Sequence, residues 1–231
     1  FIISYFAYST EKDSIMIISQ DISLIKLQEN IYIIKSYKTL EKWGKVDANG
    51  MLLVDKNDLV LINTPWDNNQ TKVLCDYIEK KFKKKIKSLI VTHSHDDCMG
   101  GFKEILKRKI KSYTLDKTKN LAKKMGIEGF NITFTDSLNL DLNNFLLQIY
   151  YPGPGHTIDN TIVWLKNQKI LYAGCLVKEL SSSSLGNITE ADLDAYPKTL
   201  ENLINKYKNA NLVIPGHGKW GGIELIEHTL D

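Results

Sequence analysis

Three residues with metal-binding side chains, His93, His95 and Asp97, lie within five positions of one another, shortly after the apolar stretch 89–91. Two imidazoles separated by one residue can lie on the same side of an extended loop and bind one metal ion. A carboxylate two residues further on can reach a second ion beside it. Zinc binds nitrogen, sulfur and carboxylate oxygen, and a catalytic zinc keeps one position open for water. The segment therefore predicts a zinc-dependent hydrolase.

Three further candidate ligands follow apolar runs in turns that contain glycine: His156, Cys175 and His217. Glycine lets the backbone turn sharply close to an ion. A single histidine beside an apolar strand is more often a core residue, but here four of the five histidines follow strand-like runs in turn contexts. Mixed His, Asp and Cys donors are typical of catalytic rather than structural zinc. Six ligands suffice for two zinc ions: His93, His95, Asp97, His156, Cys175 and His217.

The composition of the 231 residues is that of an ordinary globular protein with a net charge of +3. The lysine-rich stretch 80–85 lies at the end of a helix predicted over residues 71–85, where cations suit the helix dipole, and is interpreted as a solvated face rather than a nucleic-acid site. Three cysteines give no disulfide framework, and Cys75 and Cys98 are expected to be free. The apolar start, residues 1–9, is too short to span a bilayer and resembles the end of a signal peptide.

The domain organisation follows from these features and from the hydrophobic periodicity. Residues 1–20 are predicted to be a signal-peptide remnant and N-terminal tail, and residues 21–231 a single domain. Each half of the domain shows strands, then a helix, then an apolar strand that ends at candidate ligands. We expect an α/β fold of two sheets packed face to face with helices outside. The ligands would gather at one edge, where strand ends of both halves meet.

Five motifs together resemble subclass B1 metallo-β-lactamases: His-x-His-x-Asp at 93–97, Gly-His-Thr-x-Asp-Asn at 155–160, Gly-Cys-Leu-Val-Lys at 174–178, Leu-Gly-Asn at 185–187 and Pro-Gly-His-Gly at 215–218. The resemblance implies an αβ/βα sandwich that binds two zinc ions and hydrolyses penicillins, cephalosporins and carbapenems in the bacterial periplasm. It implies that the first zinc site is formed by His93, His95 and His156. The second zinc site would be formed by Asp97, Cys175 and His217.

The resemblance also implies roles for other residues. Zinc makes hydroxide available near neutral pH for attack on the lactam carbonyl, and Asp97 would orient it. Lys178 would bind the substrate carboxylate, Asn187 would donate to the developing oxyanion, and Trp43, in a hairpin flap over the groove, would contact the substrate. We expect the partners to be a β-lactam and water, with no nucleic acid and no membrane, and the protein to be a monomer.

Two alternatives remain open at this point. One is another hydrolase of the same superfamily, a thioesterase or lactonase, although those resemble His-x-His-x-Asp-His and this chain has Cys98 at the last position. The other is a non-catalytic module with structural zinc, which six ligands disfavour; a nucleic-acid enzyme is weaker still, since no basic aromatic surface is evident. Asn63 stands where many relatives have Asp, which bears on zinc affinity at the second site.

Overall fold

The computed structural model describes residues 15–231, which form two β-sheets. The larger sheet has eight strands in sequence order: β1 (Ile15–Ser19), β2 (Ile22–Gln28), β3 (Ile31–Leu40), β4 (Gly44–Val54), β5 (Asp58–Ile62), β6 (Lys85–Ile90), β7 (Lys111–Leu115) and β8 (Ile132–Phe134). Strands β1 to β5 are antiparallel and β5 to β8 are parallel. Parallel strands need long crossover connections, and helices supply them here.

Helices cover the outer face of the larger sheet. They are α1 (Asn68–Phe82), α2 (Asp96–Met99), α3 (Phe102–Lys107) and α4 (Asp116–Lys124). Asp67 begins α1 by accepting a hydrogen bond from the Gln70 amide. Apolar residues at helical spacing, such as Leu74 and Ile78, are fully buried against the sheet. This burial fixes the helices on one side of the sheet.

The smaller sheet has five strands in the order β13-β12-β11-β10-β9: β9 (Ser137–Asp141), β10 (Leu146–Tyr150), β11 (Ile162–Leu165), β12 (Ile170–Gly174) and β13 (Leu212–Pro215). Helices α5 (Tyr196–Tyr207) and α6 (Glu224–Leu230) pack on its outer face. No helix within residues 15–231 is long and apolar enough to cross a membrane.

Alternation along the strands separates the core layers. In β4, Met51 and Leu53 face the smaller sheet, whereas Leu52 and Val54 face the helices. Successive strand side chains point to opposite faces, so a strand buried on both sides is apolar throughout. The predicted αβ/βα sandwich is confirmed.

The start of the chain bears on the predicted organisation. Residues 1–14, which carry most of the predicted signal remnant, lie outside the described residues. Strand β1 pairs with β2 from Ile15, so the larger sheet begins before position 21, where the domain was expected to start. The signal-peptide interpretation stays a prediction.

Candidate metal centre

The strand ends bring the predicted ligands to one edge of the sandwich. β6 ends at Ile90, three residues before His93, and β12 ends at Gly174, directly before Cys175. β13 ends at Pro215, two residues before His217. Gly174 has a φ of +58°, a conformation that glycine adopts without the steric cost of a side chain. The chain therefore turns at once from a buried strand into the ligand-bearing loop.

Three imidazoles converge to form the first group of donors. One ring nitrogen each of His93, His95 and His156 lies within 4.8 Å of the others. Their ring centroids are 4.7, 5.2 and 5.3 Å apart and the rings are nearly perpendicular. Nε2 of His93 is buried and has no hydrogen-bonding partner among residues 15–231. A buried polar atom without a partner is costly, and a bound ion at this convergence would satisfy it.

The second group of donors is Asp97, Cys175 and His217, and its members touch one another. Cys175 Sγ lies 3.1 Å from Asp97 Oδ2 and 3.4 Å from His217 Nε2. His217 Nε2 lies 3.2 Å from the same carboxylate oxygen. The other oxygen, Asp97 Oδ1, lies 3.9 Å from Nε2 of His93. Asp97 therefore stands between the two groups, with one oxygen towards each.

The thiol of Cys175 is disposed to ionise. A hydrogen bond with Cys98 lowers its pKa well below the usual value, and the nearby His217 and His93 act in the same direction, against burial, which would raise it. Thiolate is the form of cysteine that binds metals. The donors of the two groups are therefore nitrogen, thiolate and carboxylate, the set that zinc prefers in catalytic sites.

Comparison with known proteins agrees with this arrangement. Residues 43–217 match the Metallo-beta-lactamase superfamily. The chain belongs to this superfamily. It is 40% identical over 212 residues to a "Metallo-beta-lactamase type 2" of Bacteroides fragilis, covering 92% of this chain and 85% of that protein. A protein of the same name from Bacillus cereus is 40% identical over 210 residues, covering 91% and 82% of the two chains.

Solved structures extend the likeness to three dimensions. A metallo-beta-lactamase from Pontibacter korlensis has a TM-score of 0.87 at 35% identity, covering 90% of this chain and 97% of that one. One from Hirschia baltica has a TM-score of 0.85 at 30% identity, covering 91% and 97%. The resemblance to subclass B1 metallo-β-lactamases is thereby confirmed.

A brace behind His217 of this metallo-β-lactamase was not visible in the sequence. Nδ1 of His217 faces the Asp47 carbonyl oxygen at 2.5 Å, which leaves Nε2 for the metal centre. The Gly218 amide donates to Asp47 Oδ2 at 2.8 Å. Lys35 donates to the same oxygen at 2.5 Å and to the Gly218 carbonyl at 2.9 Å. Burial alone would raise the pKa of Asp47, but Lys35 and the Gly218 amide outweigh it and the pKa is lowered.

A second carboxylate supports the first group. Glu190 Oε2 lies 2.5 Å from Nε2 of His95. A carboxylate on one nitrogen of a ligating histidine fixes the tautomer and orients the ring. Asp159, fully buried, accepts from the Ser94 amide at 3.0 Å and so holds the loop between His93 and His95. Sequence reasoning missed the role of Glu190, which lies 95 residues beyond the histidine that it contacts.

Cys98, Cys75 and Asn63 are all buried, at different distances from the metal centre. Cys98 is buried with its sulfur 3.2 Å from Nδ1 of His93, so it lies among the ligands. Cys75 is buried in α1 within the outer core layer. Asn63 donates to Thr92 Oγ1 and to the Tyr172 hydroxyl, at 2.9 Å each, and thereby holds the residue that precedes His93.

The three predicted substrate-binding residues differ in their exposure and in their contacts. Lys178 is partly buried and donates to the Cys175 carbonyl oxygen at 2.9 Å; burial lowers its pKa. Asn187 is exposed, and its Oδ1 accepts from the amide and hydroxyl of Thr189, so the structure does not bring it into contact with the ligands. Trp43 lies at the tip of the β3–β4 hairpin, 49% exposed. Their substrate roles stay predictions.

Proposed function

We propose that this protein hydrolyses the β-lactam amide bond of penicillins, cephalosporins and carbapenems, with two zinc ions bound at the metal centre. The observation that carries the proposal is the pair of adjacent donor groups, three imidazoles beside Asp97, Cys175 and His217. Each group has three donors, which leaves coordination positions for water and substrate. The names of the relatives support the β-lactam as substrate.

The zinc ions, when bound, would supply Lewis acidity and a water molecule that is nucleophilic near neutral pH. His93, His95 and His156 would hold one ion, and Asp97, Cys175 and His217 the other. Oδ2 of Asp97 faces the second group while Oδ1 faces His93, and this arrangement supports a role for Asp97 in orienting the attacking water. No serine or free cysteine nucleophile is required.

Substrate binding falls to residues around the centre. Lys178 Nζ is held beside the Cys175 carbonyl, within the same loop as a metal donor, and its charge would attract the carboxylate that these antibiotics carry. The side-chain oxygen of Asn187 accepts a hydrogen bond from Thr189. Its Nδ2 would donate to the lactam carbonyl oxygen as negative charge develops there. Trp43 would cover the bound substrate from the hairpin tip.

We also propose that the protein acts as a monomer in the periplasm. The interpretation of residues 1–9 as the end of a signal peptide supports that location. Three unpaired cysteines are compatible with it because all three are buried, and Cys175 is also a proposed metal ligand.

Imipenem hydrolysis, followed by the loss of ultraviolet absorbance, tests the proposal. We expect turnover that a zinc chelator abolishes and added zinc restores. Cys175→Ser should lose most of this activity, whereas Cys75→Ala, which removes a buried sulfur remote from the centre, should retain it. Absence of turnover in protein shown to contain two zinc ions would contradict the proposal and redirect the search to thioesters and lactones.

A further inference from the structure

The basic residues of this chain are concentrated in one part of the sequence. Residues 68–128 contain sixteen of the thirty lysines and arginines but only seven of the twenty-seven acidic residues. The rest of the chain is therefore acidic, with fourteen basic and twenty acidic residues. The net charge of +3 conceals this separation. Such a separation creates a field that acts on charged partners.

The topology collects these lysines at a single edge of the molecule. Strands β5 to β8 are parallel, and α1, α3 and α4 each return the chain from one strand to the start of the next. The C-terminal ends of the helices therefore meet the N-terminal ends of the strands. We call this region the basic edge; its exposed lysines are Lys80, Lys81, Lys83, Lys85, Lys87, Lys107, Lys109, Lys111, Lys123 and Lys124.

The basic edge lies opposite the metal centre. β6 begins at Lys85 and ends at Ile90, and His93 follows that end. β7 begins at Lys111, paired alongside Ser88 of β6. A partner bound at the basic edge would leave the metal centre facing away from it, open to substrate.

Local effects account for only part of this charge. Lysines in the last turns of α1, α3 and α4 stabilise the helix dipoles, but half of the basic edge lies beyond those turns. Four carboxylates form ion pairs there, with Lys85, Lys87, Lys107 and Lys123, at 3.2 to 4.0 Å. The remaining six lysines, among them Lys80, have no ion pair within residues 15–231. Like charges held together repel one another unless a partner of opposite charge is bound.

Apolar side chains among the lysines indicate the nature of the partner. Leu106, in the last turn of α3, is 37% exposed, and Met125, directly after α4, is 54% exposed. Lysines interspersed with exposed apolar side chains fit the interface of an anionic bilayer, where the charges contact headgroups and the apolar groups enter the acyl boundary. Lysine predominates, and the single arginine, Arg108, is occupied by Asp76 and Glu104. The bidentate arginine contacts that favour nucleic-acid recognition are thus missing from the described part of this edge.

We propose that the basic edge docks the protein peripherally on anionic phospholipid membranes, with the metal centre facing solvent. This revises the expectation from sequence that no membrane is bound. The attachment is electrostatic and superficial and needs no membrane-spanning segment. It is independent of the proposed hydrolysis, because no residue of the basic edge belongs to the metal centre.

Co-sedimentation of the whole chain with vesicles tests the proposal. Wild-type protein should bind vesicles of phosphatidylcholine with about 30% phosphatidylglycerol and not vesicles of phosphatidylcholine alone. Raising the salt from about 20 mM to about 300 mM should release it, because screening shortens the reach of the charges. Equal binding to neutral vesicles, or binding that salt leaves unchanged, would overturn the proposal.

Matched variants separate the basic edge from net charge. Replacing Lys80, Lys81 and Lys124 with Gln should weaken vesicle binding about 100-fold, since each lysine near an anionic surface contributes about fivefold. Replacing Lys26, Lys166 and Lys208, exposed lysines of β2, the β11–β12 turn and the end of α5, removes the same charge and should leave binding near wild type. An equal loss of vesicle binding in both triple variants would refute the assignment of binding to the basic edge. Binding of duplex DNA by a protein that does not bind vesicles would also refute it. Circular dichroism and thermal unfolding would show that both variants fold.

Discussion

Lys35 carries the sharpest test of how the metal centre is held, because it is a buried cation that binds two groups behind His217. Its side chain is 11% exposed, and that of its partner Asp47 is 24% exposed. Lys35→Met keeps the apolar stem but removes the cation beside Asp47, whose carboxylate keeps only the Gly218 amide as donor. The Gly218 carbonyl also loses one of its two donors and keeps Asn49 Nδ2. Removing one member of a fully buried pair costs about 3–5 kcal/mol, and the partial exposure of Asp47 lowers the expected loss to about 2–3 kcal/mol.

The same substitution should reach the metal. Lys35 and Asp47 both hold Gly218, the neighbour of His217, and Asp47 also fixes the His217 ring through its carbonyl. Loss of such supporting hydrogen bonds lowers metal affinity by about 10- to 100-fold. We expect this loss at the second zinc site, with the three-histidine site retaining its affinity.

Two measurements check the reasoning. Urea unfolding of the metal-free protein gives the loss of free energy, since bound zinc would stabilise the folded state by mass action. Competition with a chelator of known zinc affinity gives the two binding constants. Lys26→Met, an exposed lysine of the neighbouring strand, is the control. An unchanged free energy of unfolding, or an equal loss of zinc affinity at both sites, would refute the supporting role of Lys35 behind His217.

Further substitutions test other contacts. The Asp55 carboxylate stabilises the turn between β9 and β10 by accepting three hydrogen bonds from Asn143 and Asn144. Asp55→Asn should therefore destabilise the protein by about 1–3 kcal/mol near pH 7. Burial would raise the pKa of Asp55, but the hydrogen bonds from Asn143 and Asn144 outweigh it and the pKa is lowered in the folded state. In urea unfolding the difference from wild type should therefore begin to shrink as pH falls below about 4 and disappear once pH has fallen through the lowered pKa; a gap that persists in stronger acid would contradict this. Glu190→Gln should weaken zinc binding about tenfold or more at the site of His95, measured by chelator competition, and equal affinity would exclude that role. A Cβ at Gly216 would lie 2.3 Å from the Cys175 sulfur, so metal analysis of Gly216→Ala should find the second ion lost while the first remains; two ions per chain would contradict the clash.

The six candidate ligands were predictable because they lie in the segments that follow apolar strands. Such strand ends must meet at one edge of a sandwich, so His93 and Cys175 could be expected at the same edge although 82 residues separate them. The two-layer arrangement followed from the same alternation. The starts and ends of elements were less certain: α1 begins at Asn68, because Asp67 caps it, three residues before the expected helix.

The supporting residues were not predictable, for a physical reason. Lys35 contacts Gly218 across 183 positions, and neither residue type carries a metal signature. One trace was present: Lys35 is a charged residue within the apolar strand β3, and a buried charge needs a partner. Nothing in the sequence identifies that partner, since many carboxylates are available. Glu190 left no trace at all, because an exposed loop tolerates acidic residues anywhere.

The relative position of the two donor groups is set beneath them, by polar side chains between the sheets. The Asn49 side-chain amide donates to the Pro215 carbonyl at 2.9 Å, next to the turn of His217. The backbone carbonyl of Asn49 accepts a hydrogen bond from the Tyr172 hydroxyl. Tyr172 in turn accepts from Asn63, which holds Thr92 beside His93. The chain of hydrogen bonds thus runs from the loop of one donor group to the loop of the other through a fully buried tyrosine. Buried groups that satisfy one another in this way favour a single arrangement of the loops, although Asn49 Oδ1 has no hydrogen-bonding partner among residues 15–231. The relative position of the two donor groups therefore depends on this buried network as well as on the ligand loops, and substitutions in the network should alter both groups together.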